Sequence, residues 1–283
     1  MTQSVFDKRQ CSLGEGPLWH PERQQLFWFD IDNKRMLSQQ AGKPLEWQFD
    51  HHVSAAGWIT RDELLIASEV ELFRFNIVTG ERAHICPLEA DEPETRSNDG
   101  RADPWGGFWI GTMGKQAEPE AGAIYLFYKG QLEVLYQDIT ISNAICFSPD
   151  GQFAYYTDTP TKLIMRQKLR EGGWPTGAAE VFIDLNDDGL NPDGAVVDAE
   201  GCLWNAQWGA NRVARYAQDG TFLSAVQFAA GQISCPAFGG AGLSTLFATS
   251  AYQNLETMSD ADGQTYCALL DGIKGQPEHQ VLL

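Results

Sequence analysis

Four polar residues stand five positions ahead of a turn. They are Glu15 in Leu13-Gly14-Glu15-Gly16-Pro17, Asn98 in Arg96-Ser97-Asn98-Asp99-Gly100, Asn143 in Ser142-Asn143-Ala144 and Asp193 in Pro192-Asp193-Gly194, and the turns begin at His20-Pro21, Asp103-Pro104, Ser148-Pro149 and Asp198-Ala199. Glu15, Asn143 and Asp193 together offer side-chain oxygens and two negative charges. Hard divalent cations such as calcium, magnesium or manganese favour such a set. Three protein ligands leave coordination positions for water and substrate, the open arrangement that a catalytic metal needs. Asp and Asn ahead of Gly also serve as turn residues that cap the backbone by local hydrogen bonds. Each residue alone is open to that reading, and the shared position favours the metal reading for the set.

The elements that must position these residues are strands. A turn followed by an aromatic strand recurs as His20 to Trp28, Asp103 to Trp109, Ser148 to Tyr156 and Asp198 to Trp204, with weaker copies at Thr60 to Ile66 and Phe238 to Phe247. The spacing is roughly 40–50 residues, the period of propeller blades. Asp-Gly and Gly-Gly pairs supply the positive φ angles of tight hairpins. Runs such as Leu26-Phe27-Trp28-Phe29 and Phe108-Trp109-Ile110 are β-prone. No long segment has a helical period. The expectation is an all-β fold, a six-bladed β-propeller of four-stranded antiparallel blades in one domain spanning 1–283. A β-sandwich would not explain the long-period echo. The residues from Val5 to Cys11 precede the first unit, and are expected to complete the last blade and close the ring.

Innermost strands line a propeller's channel, so turn-aligned residues should face one another across it. The six are Glu15, Ala55, Asn98, Asn143, Asp193 and Cys235. Four are polar and two are not, so the polar chemistry is lopsided. Ala55 and Cys235 are expected to form an open wall that offers no ligand.

Bulk properties narrow the partners. The formal net charge of −18 argues against nucleic acid and anionic membrane. No apolar stretch approaches the ~20 residues of a membrane span, and the first residues carry no basic segment leading into an apolar run. A cytoplasmic location is therefore expected, with six scattered cysteines as reduced thiols. Asp184 to Gly189 resembles the first half of an EF-hand loop, but position twelve is Ala195 where a bidentate Glu is needed. A polar loop on the site rim is the better reading. His51 and His52 would face opposite ways on a strand, so they are not expected to bind one ion together; either is a candidate to line the mouth at the second unit, and a surface or packing role is favoured. Asp99, ahead of Gly100, reads as a turn cap. No Gly-x-Ser-x-Gly elbow, P-loop or dinucleotide fingerprint is present.

At these residues the chain resembles the senescence marker protein/gluconolactonase (regucalcin-like) family of six-bladed propellers that hydrolyse sugar lactones. The matching pieces are Leu13-Gly-Glu-Gly-Pro17, Arg96-Ser-Asn-Asp-Gly100 with Gly111-Thr-Met113, Ile141-Ser-Asn-Ala144 with Ser148-Pro-Asp-Gly151, and Pro192-Asp-Gly194. The resemblance implies one divalent metal held by Glu15, Asn143 and Asp193. Calcium is the expected ion, with zinc, manganese, magnesium and iron as alternatives. It implies substrate contacts from Arg96 and Asn98. Some members carry a Glu shortly after Gly-Thr-Met for substrate, whereas here Met113 is followed by Gly114-Lys115-Gln116. Gln116 is the candidate for that contact, with Lys115 or no contact at all as the alternatives, so substrate preference does not carry over from those members. The implied reaction is opening of an aldono- or aldarolactone, with Asp193 as general base. The non-catalytic alternative is a calcium-binding or protein-binding propeller, and the other catalytic one is hydrolysis of a different ester.

Overall fold

Each aromatic run becomes the second strand of an antiparallel sheet. Gln25–Asp30, Phe108–Gly114, Phe153–Asp158 and Leu203–Trp208 pair with Gly14–His20, Thr95–Ala102, Ser142–Phe147 and Asn191–Val197 respectively. The weaker copies do the same: Val53–Thr60 pairs with Glu63–Ser68, and Gln232–Gly239 with Thr245–Ala251. Six antiparallel sheets result, five of them running outward in chain order from their first strand and the sixth completed by the N-terminal strand. The computed structural model, which describes residues 3–283, is a six-bladed β-propeller of four-stranded blades. Blade four carries one extra short strand, Trp174–Pro175, on Leu163–Arg170. Among the described residues no helix is long and apolar enough to cross a membrane.

The N-terminal strand closes the ring. Gln3–Asp7 pairs with Thr265–Leu269 as the outer strand of blade six. The strand is shorter than the sequence suggests. It ends at Asp7, and Cys11 instead donates its backbone N–H to Gly263 at 2.8 Å.

Among the described residues there is no common core. Six apolar clusters form, one at each contact between neighbouring blades. This explains the aromatic echo, because second-strand aromatics fill these seams. Trp109 of blade three meets Phe147 of blade four edge-on at 5.5 Å, and Trp204 of blade five meets Phe238 of blade six at 5.6 Å. Such edge-to-face pairs add to the area they bury. Trp28, Trp109 and Trp204 are fully buried. All six cysteines are free thiols, four of them buried.

The segment from Gly275 to Leu282 crosses one mouth of the channel. Gln276 donates to the carbonyls of Phe147 and Val197, Trp58 Nε1 donates to the Glu278 carbonyl at 2.9 Å, and Leu282 N donates to the Gly106 carbonyl. Beneath it Arg101 of the blade-three inner strand forms a buried ion pair with Glu278. The channel is therefore sealed at this end and open at the other. Removing one member of a buried pair leaves the other charge without a partner, which costs roughly 3–5 kcal/mol. Glu278→Ala is expected to lower Tm by on the order of 10 °C, read by calorimetry, while Glu278→Gln recovers part of the loss.

Candidate active site

The open mouth lies at the starts of the inner strands. Glu15, Asn98, Asn143 and Asp193 all reach it, and each is buried. Their shared distance from the turn does not mean shared register. Each inner strand has an irregularity in its pairing. Glu15 and Asn143 are the last paired residues ahead of it, opposite Phe29 and Thr157. Asn98 and Asp193 are the first residues inside it, after Ser97↔Thr112 and Pro192↔Gln207. A bulge re-aims the side chains around it, and here it turns two of the four toward the axis.

The turn chemistry is carried by other residues. Asp103 Oδ1 accepts from Trp105 N and Gly107 N, and Asp198 Oδ1 accepts from Glu200 N and Cys202 N. Ser148 Oγ accepts from Phe153 N. These residues sit five positions later and close the hairpins, leaving Asn98, Asn143 and Asp193 free of that task. The glycines beside Glu15 have a separate reason. A Cβ on Gly14 would lie 2.4 Å from the Ser250 carbonyl oxygen, and one on Gly16 would lie 2.1 Å from that of Ser54. The Gly-Glu-Gly run lets the first inner strand touch both neighbouring blades.

A hydrogen-bond chain fixes the amides. Arg96 Nη1 donates to Asn98 Oδ1 at 2.7 Å and to the Ser97 carbonyl. Asn98 Nδ2 donates to Asn143 Oδ1 at 3.1 Å and to the Ser142 carbonyl at 2.8 Å. Asn143 Nδ2 donates to Thr159 Oγ1, which donates to the Pro192 carbonyl. Blades three, four and five are thereby linked, and one lone pair of Asn143 Oδ1 remains.

The two carboxylates lack comparable support. Glu15 accepts one long bond, 3.2 Å from Gly16 N. Asp193 has no side-chain hydrogen-bond partner among the described residues. Burial pushes the Glu15 carboxyl up, and the charge of Asp99 adds to it; the Gly16 N–H and Arg96 oppose the rise. Burial likewise pushes Asp193 well above the usual range, and Glu15 and then Asp99 push it further. Arg96 is buried too, so burial lowers its affinity for the proton while Asp32, Glu15, Glu69 and Asp193 hold it up. Two buried carboxylates and one amide oxygen form an all-oxygen donor set with an unmet need for positive charge. That set fits a hard divalent ion.

The mouth opens into a cavity of about 1030 Å³. This is at the upper end of the range for small-molecule sites. Its wall includes Arg96, Asn98, Gln116, Asp32, Trp208 and Tyr252. Gln116 is exposed at the rim.

The family follows from comparison with known proteins. Residues 13–252 match the model of the SMP-30/Gluconolactonase/LRE-like region. The chain belongs to this family. Two curated relatives are the 6-deoxy-6-sulfogluconolactonase of Pseudomonas putida, 34% identical over 88% of this chain and 87% of that one, and the L-arabinolactonase of Azospirillum brasilense, 34% identical over 89% and 85%. The crystal structure of a calcium-binding protein, regucalcin, from Agrobacterium tumefaciens is 40% identical in sequence, with a TM-score of 0.95 over 100% of this chain and 98% of that one.

Within this SMP-30/gluconolactonase frame several sequence expectations need correction. Asp99 is no turn cap; it is buried, and its Oδ2 accepts from Ile145 N of blade four at 2.7 Å. Burial raises its carboxyl to about 6 against the pull of Arg101 and backbone N–H groups. Ala55 and Cys235 form no open wall. Both are fully packed, and Cys235 fills the space a Cβ on Gly194 would need. The 184–189 loop does not line the cavity, where Asn191 is the first residue of that stretch to appear. His51 and His52 lie in a bend before Val53–Thr60, so strand alternation does not apply to them. Both turn Nδ1 to Glu69, and His52 lines the cavity. Asp32, Glu69 and Thr159 carry no repeat signal and escape a sequence reading. Asp198, Glu200 and Cys202 come close together, but Arg215 already occupies both carboxylates there.

The raised carboxyls give a pH prediction. Between the ordinary carboxylate range and their folded values, the folded chain binds more protons than the unfolded one. The stability of the metal-free protein therefore falls as pH rises through that window. A bound cation replaces those protons. Added calcium should raise Tm more at about pH 8 than at about pH 5, and the Glu15→Gln/Asp193→Asn double variant should flatten the difference in a fluorimetric melt.

Proposed function

We propose that this chain hydrolyses a sugar lactone to the open-chain acid, assisted by one divalent cation, with calcium preferred. Glu15, Asn143 and Asp193 would hold the ion. The observation that carries this reading is the pair of buried carboxylates that no salt bridge neutralises among the described residues, beside an oriented amide oxygen, at the floor of a cavity large enough to admit a sugar. Relatives named as lactonases support it, as does the 40% identical regucalcin, a calcium-binding protein.

When bound, a divalent ion supplies positive charge where the lactone carbonyl oxygen becomes negative. This chain's residues supply the rest. Asp193 accepts the proton of the attacking water at a carboxylate oxygen. A ligating carboxylate is a weak base, yet proton transfer to a positioned group still contributes. Water oxygen bonds to the carbonyl carbon, the ring C–O bond breaks, and the departing alkoxide takes the proton held by Asp193 to become the product hydroxyl, which returns Asp193 to its carboxylate. Arg96 and Asn98 bind substrate hydroxyls, Arg96 through the part of its planar fork that the protein leaves free. Gln116 contacts the substrate from the rim.

The rival reading is a calcium-binding propeller without catalysis, and the likeness to the calcium-binding regucalcin is the observation that favours it. A panel of aldonolactones, aldarolactones and phenyl esters separates the readings. Glu15→Ala and Asp193→Ala are each expected to lower lactonase kcat/KM by at least about 10³-fold while leaving a folded chain. Chelation should abolish turnover and added calcium restore it. Near-normal turnover in both variants, or full activity in verified metal-free protein, would overturn the mechanism.

A further inference from the structure

Glu69 lies outside the candidate metal set, just beyond the end of the second strand of blade two, and it is buried. Its Oε2 meets His52 Nδ1 at 2.8 Å and Lys115 Nζ at 2.7 Å, and its Oε1 meets His51 Nδ1 at 3.1 Å. Backbone bonds tie the same residues: Glu69 N donates to the His52 carbonyl, and His52 N donates to Glu69 Oε1. Burial alone would raise the Glu69 carboxyl, but bonds from His52, Lys115 and His51 overcome it and bring it down to about 2. Glu69 is therefore a charged hub joining blade two to Lys115 at the end of the second strand of blade three.

The hub decides what its partners present. A carboxylate only accepts hydrogen bonds, so His52 Nδ1 carries the proton. In the neutral ring Nε2 then holds a lone pair. It has no protein partner among the described residues, and His52 lines the cavity. Lys115 gives one N–H to Glu69 and one to the Pro93 carbonyl at 2.7 Å, leaving a third on a residue that also lines the cavity. Both groups hang on the same oxygen, so an acceptor and a donor stand side by side. A hydroxyl satisfies both, because it donates and accepts. An anionic group accepts only, and it would face the His52 lone pair and the Glu69 charge. The charges agree: Lys115 is balanced by Glu69, so this wall offers no free cation of its own.

We propose that His52 and Lys115, positioned by Glu69, form a hydroxyl-recognition subsite that selects polyhydroxylated neutral lactones over unhydroxylated ones and over those bearing a carboxylate. This rests on the lactonase reading above. A site built to hydrogen-bond a hydroxyl discriminates strongly against an analogue without one.

The test compares kcat/KM for D-xylono-1,4-lactone, γ-butyrolactone and D-glucaro-1,4-lactone, alongside calorimetric binding of xylitol, all with calcium present. The native chain is expected to favour xylonolactone over butyrolactone by about 10³-fold or more. His52→Phe and Lys115→Met, made separately, should each reduce that ratio and weaken xylitol binding by at least about 10-fold, mainly through KM. His52→Gln, which restores an acceptor, should recover part of the loss, and exposed Lys129→Met should change neither readout. Lactone turnover with an unchanged ratio in folded variants overturns the subsite and leaves the lactonase reading standing. Faster turnover of glucarolactone than xylonolactone by the native chain overturns its neutral preference. If no lactone is turned over, the lactonase reading fails, and the xylitol data still decide: weakened binding in both variants supports hydroxyl recognition, while equal binding overturns it.

Discussion

Two carboxylates buried in one pocket set the terms for everything around them. Glu15 and Asp193 come from inner strands of blades one and five, and their charges repel across the axis. Burying an ionised carboxylate costs several kcal/mol even after relaxation, and nothing in the protein fully offsets it. Arg96 is close enough to help, yet no salt bridge joins it to either residue among the described contacts. The protein thus carries a local destabilisation that only protons or a cation relieve. Six separate inter-blade cores make that tolerable, because the stability of the ring is distributed over seams away from the axis. Strain of this kind at a functional site, offset elsewhere, is the usual pattern.

A symmetric ring produces an asymmetric site through small local differences. All six blades share one plan, but the pairing irregularity falls one residue earlier relative to the turn in blades three and five than in blades one and four. The same offset from the turn then aims different register positions at the axis. At blades two and six the inner strands offer Ala55 and Cys235, which pack shut. The polar inner-strand residues of the site come from the remaining four blades, and the amide chain from Arg96 to Thr159 stiffens three of them.

The sequence made the blades legible because turn and aromatic strand recur together, and both have a physical cause. Turns need particular backbone angles, and the seams need large rings such as Trp109 and Trp204. Glu15, Asn98, Asn143 and Asp193 were legible for the same reason, since each sits at a fixed distance from a recognisable turn. Asp99 was misread because Asp before Gly looks like a turn, and only the neighbouring blade reveals Ile145 as its partner. Ala55 and Cys235 were misread because an absent ligand resembles open space until packing is known. Glu69, Asp32 and Thr159 had no periodic signal at all. They lie between or at the ends of strands, and their importance comes from contacts tens of residues away in sequence.

That last group bears on how such a site divides its labour. Residues aimed from the inner strands are constrained on every side: Gly14 and Gly16 leave no room for a side chain, and Asn143 is held at both ends of its amide. A change there disturbs the ring. Glu69, His52 and Lys115 sit where strands end, with His52 and Lys115 partly exposed to the cavity. Substitution of His52 or Lys115 alters hydrogen-bond chemistry on one wall and leaves the amide chain untouched. The geometry therefore separates Glu15, Asn143 and Asp193, which would act at the lactone carbonyl, from His52 and Lys115, which with inner-strand Arg96 and Asn98 would read the rest of the molecule. A propeller suits this arrangement, because its inner strands converge on one point while its strand ends fan outward around the substrate.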